Sequence, residues 1–220
     1  MTFISRRDLL KRAGLLGVAA AAGSSVDVVA RPFQGRVAGG PERPALQQFE
    51  NLTAEESNIL EAVVARLIPS DELGPGAKEA GAAHYIDRAL GSALASSRQA
   101  YAAGLAALDR YAQASRGDAF ARLSPMDQDA VLLDVEKGAA TGFSGSSTAF
   151  FNMVLNHTHQ GTFGDPYYGG NANFVGWDLI GYPGVRTMVS AADQKELEAS
   201  GLKPNRKSAY DYEAFTKAQR

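Results

Sequence analysis

The 220 residues include three histidines, His84, His157 and His159, and no cysteine. Lack of cysteine rules out disulfides, thiolate nucleophiles, thiolate-held iron–sulfur clusters, CxxCH haem attachment and a lipid-modified N-terminal cysteine. His157 and His159 would face one metal on a strand. The apolar pattern before them is helical, however, and residues two apart on a helix do not share a face. One packed and one hydrogen-bonding histidine is the expectation. Asp165 could join them only through a fold-back, and His84 lies far upstream as an interior or edge residue. Ser144, in Gly142-Phe143-Ser144-Gly145-Ser146, misses the Gly-x-Ser-x-Gly elbow by one position and follows no strand. Gly169-Gly170-Asn171 also follows no strand and does not match a dinucleotide fingerprint. Asp71 and Glu72 read as solvated surface, and no carboxylate pair stands out for hydrolysis.

Aromatic side chains are what remain. From Gly161 to Gly184 the chain reads GTFGDPYYGGNANFVGWDLIGYPG, with seven glycines and six aromatics among 24 residues. Glycine permits positive φ and close approach, whereas large rings need something to pack on. An ordered, irregular loop clamped by its own rings satisfies both. Three uses are open. The loop packs on itself and closes the core, or it forms a protein interface, whose buried centres favour Tyr, Trp and Phe. In the third, Trp177, Tyr167 and Tyr168 stack on sugar faces while Asp165 and Asn171 hold hydroxyls. The interface candidates are Phe163, Asp165, Pro166, Tyr167, Tyr168, Asn171, Trp177 and Tyr182, with Tyr210, Tyr212 and Phe215 from the tail.

Helices must position this loop. Thr53-Ala54-Glu55-Glu56 fits a capping box, and Ile59, Leu60, Val63, Val64, Leu67 and Ile68 make one apolar stripe ending at Pro69. A second helix is expected over about 78–94 and a third over about 97–115, with Gly117 as its stop. A fourth starts at Ser124 with Pro125 at its first position and ends at Gly138. A fifth is expected over about 146–158, and a short one over 191–200. No alternating β-branched run is long enough for a strand. The expected fold is therefore all-α: a small irregular bundle of four or five helices with a long Gly/aromatic-rich loop and an extended C-terminal tail. In domain terms, residues 52–200 form the helical body, after a linker over 31–51, and 201–220 form the tail.

Residues 1–30 read as an address. Ser5, Arg6, Arg7, Leu9, Leu10 and Lys11 match a twin-arginine export signal, followed by an apolar stretch from Ala13 to Ala22. That stretch is half the ~20 residues a membrane span needs. Cleavage after Ala22 or after Ala30 fits equally well, and the periplasm is the expected destination. The net charge is -2. Without residues 1–30, which carry four basic and two acidic side chains, it is -4, so nucleic acid is not an expected partner.

Leu52-Thr53-Ala54-Glu55-Glu56, Arg66-Leu67-Ile68-Pro69-Ser70-Asp71 and Gly76-Ala77-Lys78-Glu79-Ala80-Gly81 resemble the small-subunit family of gluconate 2-dehydrogenase, called subunit 3. So do Phe163-Gly164-Asp165-Pro166, Tyr168-Gly169-Gly170-Asn171, Gly176-Trp177 and Gly181-Tyr182-Pro183-Gly184. The resemblance covers about residues 50–190. It implies a non-catalytic subunit with no cofactor of its own, needed for maturation and twin-arginine export of a large flavoprotein of the glucose–methanol–choline type. That flavoprotein binds FAD and oxidises a sugar, sugar acid or polyol. A multihaem cytochrome c often takes the electrons, so c-type haem, and in some complexes an iron–sulfur cluster, belong to partner subunits. The substrate is a property of the partner chain. A stand-alone periplasmic carbohydrate-binding protein is the alternative.

Overall fold

In a computed structural model, residues 48–216 are described, all within one compact unit spanning 43–220. The export signal and residues 31–47 of the linker lie outside the described residues. Eight α-helices and five short 3-10 turns are present among the described residues, with no strand. The fold is all-α, with more helices than the four or five expected, because the loop and the tail contribute short ones.

Helix α1 (Ala54–Leu67) starts with the expected capping box: Thr53 accepts from the Glu56 amide, and the Glu56 carboxylate accepts from the Thr53 amide. Its stripe is buried as expected. Helix α2 (Ala82–Leu90) is shorter than the expected 78–94. Gly81 sits at φ 71, a left-handed conformation, so the chain turns through 78–81 before helical geometry begins. Helices α3 (Arg98–Arg116) and α4 (Pro125–Glu136) follow the expected bounds, with Gly117 and Gly138 both at positive φ as stops. Helix α5 (Ser147–Phe163) runs five residues past its expected end and takes in the first residues of the Gly/aromatic stretch. Then come α6 (Val175–Ile180), α7 (Ala191–Ser200) and α8 (Glu213–Thr216).

The core lies where α1 to α5 meet, and its fully buried members include Leu60, Ile86, Tyr101, Leu105, Phe120, Val131 and Val154. Two arginines tie α1 to its neighbours through two-pronged ion pairs, the geometry guanidinium favours. Arg98 reaches Glu56 at 2.7 and 3.0 Å, and Arg66 reaches Asp129 at 2.6 and 2.7 Å. Burial alone would raise the Glu56 carboxyl, but Arg98 and Thr53 outweigh it and hold the pKa below the usual value. Helices α2 and α5 cross closely: a Cβ on Gly161 would come 2.9 Å from Ala82 Cα and from the Tyr85 ring. The helix α5 ends two residues later, at Phe163, where the Gly164 amide donates to Gln160 O.

Asp87 is 2% exposed, facing inward from α2. Its carboxylate accepts from the backbone amides of Glu50 (2.7 Å), Asn51 (2.9 Å) and Leu52 (2.8 Å). The same contact anchors the chain just before the α1 cap.

Candidate functional site

Past α5 the backbone folds back over that helix's last turn. The glycines sit where main chain crosses main chain. A Cβ on Gly170 would collide with the Gly161 carbonyl oxygen, and one on Gly176 with that of Thr162. Asn171, fully buried at φ 45, holds the crossing together. Its amide donates to Gly161 O (2.7 Å) and its Nδ2 to Gly164 O (2.8 Å), while its Oδ1 accepts from Gly176 N (2.8 Å). Asn173 and Phe174 also sit at positive φ, 55° and 61°. A bulky residue held there implies strain overruled by its surroundings.

Rings close the other side. Trp177, on α6, is 5% exposed and lies against Phe174 and Tyr182, with centroids 5.4 and 4.8 Å away. Its indole N–H donates to Phe163 O at 2.9 Å. Phe163 packs partly buried on the core. Trp177 and Asn171 therefore face inward and pack against the loop itself. Their self-packing accounts for the glycines, the strain and the rings together. The open sides of the loop carry Tyr167, Tyr168 and Tyr182, at 47%, 52% and 39% exposure.

The tail, whose Tyr210, Tyr212 and Phe215 are interface candidates, docks in part on this loop. The Asp165 carboxylate caps the turn at Tyr167 N (2.9 Å) and also accepts from Ser208 Oγ (2.6 Å) and Ala209 N (2.8 Å). Tyr210 then stacks on Tyr167 at 3.5 Å, and its hydroxyl lies 3.0 Å from that of Tyr168. That hydrogen bond, with lesser help from desolvation and then neighbouring charge, pushes the Tyr210 hydroxyl up to about 12. Tyr212 donates to Val185 O at 2.6 Å. Phe215 stays exposed, and Pro166 is half-buried in the 166–168 turn. Such contacts join residues more than 25 positions apart and leave no local signal, although aromatics on a polar tail do call for a docking surface.

The histidines behave as the helical spacing predicts. His157 is buried on α5 with Nδ1 3.0 Å from the Tyr101 hydroxyl, their rings nearly parallel. His159, two residues on, lies beside Phe163. Burial lowers the pKa of both. His84 packs tilted against Phe49, with ring centroids 4.4 Å apart, and its buried Nε2 has no hydrogen-bond partner among the described residues. Among the described residues no three histidine or carboxylate groups come together as metal ligands. An open cleft of about 680 Å³ lined by Glu55, Asn58, Glu61, Lys78, Asp109 and Arg122 includes no residue of the loop. No described helix is long and apolar enough to cross a membrane.

A family model described as gluconate 2-dehydrogenase subunit 3 matches residues 54–184, from the first residue of α1 to the glycine that ends the loop. This chain belongs to the gluconate 2-dehydrogenase subunit 3 family. No curated protein and no solved structure matches it. A member of the gluconate 2-dehydrogenase subunit 3 family is a component of a dehydrogenase complex, and that is the class of this chain. The matched span stops short of the tail, described over 201–216, so the tail's contacts with Asp165 and Tyr167 join the family body to the remainder of the chain.

Proposed function

We propose that this chain is the non-catalytic small subunit of a periplasmic FAD-dependent dehydrogenase of sugars, sugar acids or polyols, and that it escorts the flavoprotein through maturation and export. Family membership over the body of the chain carries the proposal. Two features support it. Asn171 and Trp177 are spent on holding the loop, which leaves neither for a reaction, while tyrosines remain on its outside. Arg6 and Arg7 supply the address. The twin-arginine route carries folded proteins, so the subunit and its flavoprotein assemble in the cytoplasm and cross as one body. FAD belongs to the large subunit, as do haem and any iron–sulfur cluster to further partners, among them a multihaem cytochrome c.

Replacing Arg6 and Arg7 by lysine tests the escort role. Both this chain and the co-expressed flavoprotein are expected to stay in the cytoplasm when the two cell fractions are compared. Flavoprotein recovered from the periplasm at wild-type level would remove that role.

A further inference from the structure

We propose that Arg88, with Tyr85, Tyr167 and Tyr168 around it, is a preformed docking face for a carboxylate side chain on a partner protein. Resting on the accessory-subunit reading, the proposal takes that partner to be the flavoprotein subunit.

Arg88 is exposed on α2, and its guanidinium makes no ion pair or hydrogen bond among the described residues. It nonetheless lies against the loop backbone. The side chain lies in the space left by the missing side chain of Gly169, where a Cβ would come 2.6 Å from Nη1 and 3.0 Å from Cδ. Gly169, at φ 95, follows directly on Tyr168. Tyr85 lies one helical turn before Arg88 on α2 and shares its face. Its ring is wedged against Gly161 and its hydroxyl donates to Gln160 Oε1 at 2.9 Å. Burial, with the neighbouring Tyr168, pushes the Tyr85 hydroxyl up, so it stays neutral. Tyr167 and Tyr168 are in turn braced by Tyr210.

Holding these groups before a partner arrives removes part of the ordering entropy that association otherwise costs. Tyrosine and arginine are also the types that dominate binding energy at interfaces. The charge on the face selects the occupant. The loop carboxylates are committed elsewhere, Asp165 to Tyr167, Ser208 and Ala209 and Asp178 to Arg206, so among the described residues no acid pairs with Arg88. A guanidinium fork is matched by a planar carboxylate. A second copy of this chain is a poorer match, because a two-fold contact centred here would bring two Arg88 side chains together.

The test is a titration of the full chain with the flavoprotein subunit. Arg88→Ala is expected to raise the dissociation constant at least about 30-fold, the scale of an interface hot spot. Arg88→Lys should recover only part of that, since an ammonium cannot make the two-pronged contact. Tyr168→Ala should weaken binding in the same sense. Arg110→Ala removes another exposed arginine, on α3, that makes no ion pair among the described residues, and should change affinity by less than about twofold, the sign that position matters more than charge. Unchanged melting points in the Arg88 variants would confirm that they remain folded.

A wild-type complex whose affinity Arg88→Ala leaves unchanged would overturn this proposal while keeping the accessory-subunit reading. A wild-type chain that forms no complex would overturn both. Displacement of the flavoprotein by sodium gluconate would show a small-acid site instead. A dimer of the isolated chain that Arg88→Ala dissolves would show a second copy as occupant. Either result contradicts the proposal.

Discussion

Trp177→Ala is expected to lower folding stability by about 3–5 kcal/mol, the range for truncating a large buried aromatic. The indole ring separates Phe174 from Tyr182 and closes the loop over the end of α5. Its N–H also satisfies Phe163 O, so the truncation leaves both a cavity and an unpaired carbonyl. Against a typical total of about 5–15 kcal/mol, that is a large fraction. Trp177→Phe keeps one aromatic ring but loses the hydrogen bond and part of the buried volume, and should cost less than Trp177→Ala, about 1–3 kcal/mol. Denaturant titration of both variants separates the two contributions. A Trp177→Ala chain as stable as wild type but unable to bind the flavoprotein would return this residue to the interface. Hydrogen exchange gives a second check, since protection should be lost first at the amides of Asn171 and Gly176.

Asp87→Ala should destabilise by a similar amount, about 3–5 kcal/mol, for a different reason. Three backbone amides lose one charged acceptor at a site that is 2% exposed. Hydrogen bonds to a charged group contribute about 1.5–3 kcal/mol each, and leaving donors buried without partners costs further. Water entering beside Glu50 and Asn51, which are not fully buried, offsets part of the loss, so the three contributions do not simply add. Asp87→Asn keeps one acceptor oxygen and should lie between. Chemical denaturation measures both, and a loss below about 1 kcal/mol for Asp87→Ala would show that the anchor before α1 is dispensable.

The helices were legible wherever a stop or start is local. Thr53 with Glu56, Ser124 with Pro125, and Gly117 all mark ends by chemistry within one turn, and α1, α3 and α4 follow them. Helix α2 is shorter than its apolar pattern suggests because periodicity cannot reveal that Gly81 takes a left-handed conformation. Helix α5 is longer because Gly161, read as the start of a loop, is instead a helical position emptied of side chain so that Ala82 can approach. Of the candidate site, composition identified the right stretch and could not sort it. Trp177 and Tyr168 are both aromatic in a glycine-rich context, yet one is buried and the other is half open. That division depends on where α5 ends and on the tail returning to Asp165. Arg88 and Asp87 carried no motif: two adjacent charges on α2 do not tell which is buried and which is exposed.

Expression of the full chain with its flavoprotein, followed by purification from the periplasm through a tag on this chain, tests the central claim most directly. The accessory-subunit account predicts a complex of fixed ratio that carries flavin and oxidises its substrate, and a tagged chain expressed alone that carries no flavin and oxidises nothing. Flavoprotein that matures, reaches the periplasm and works without this chain would contradict it, as would dehydrogenase activity in the isolated chain.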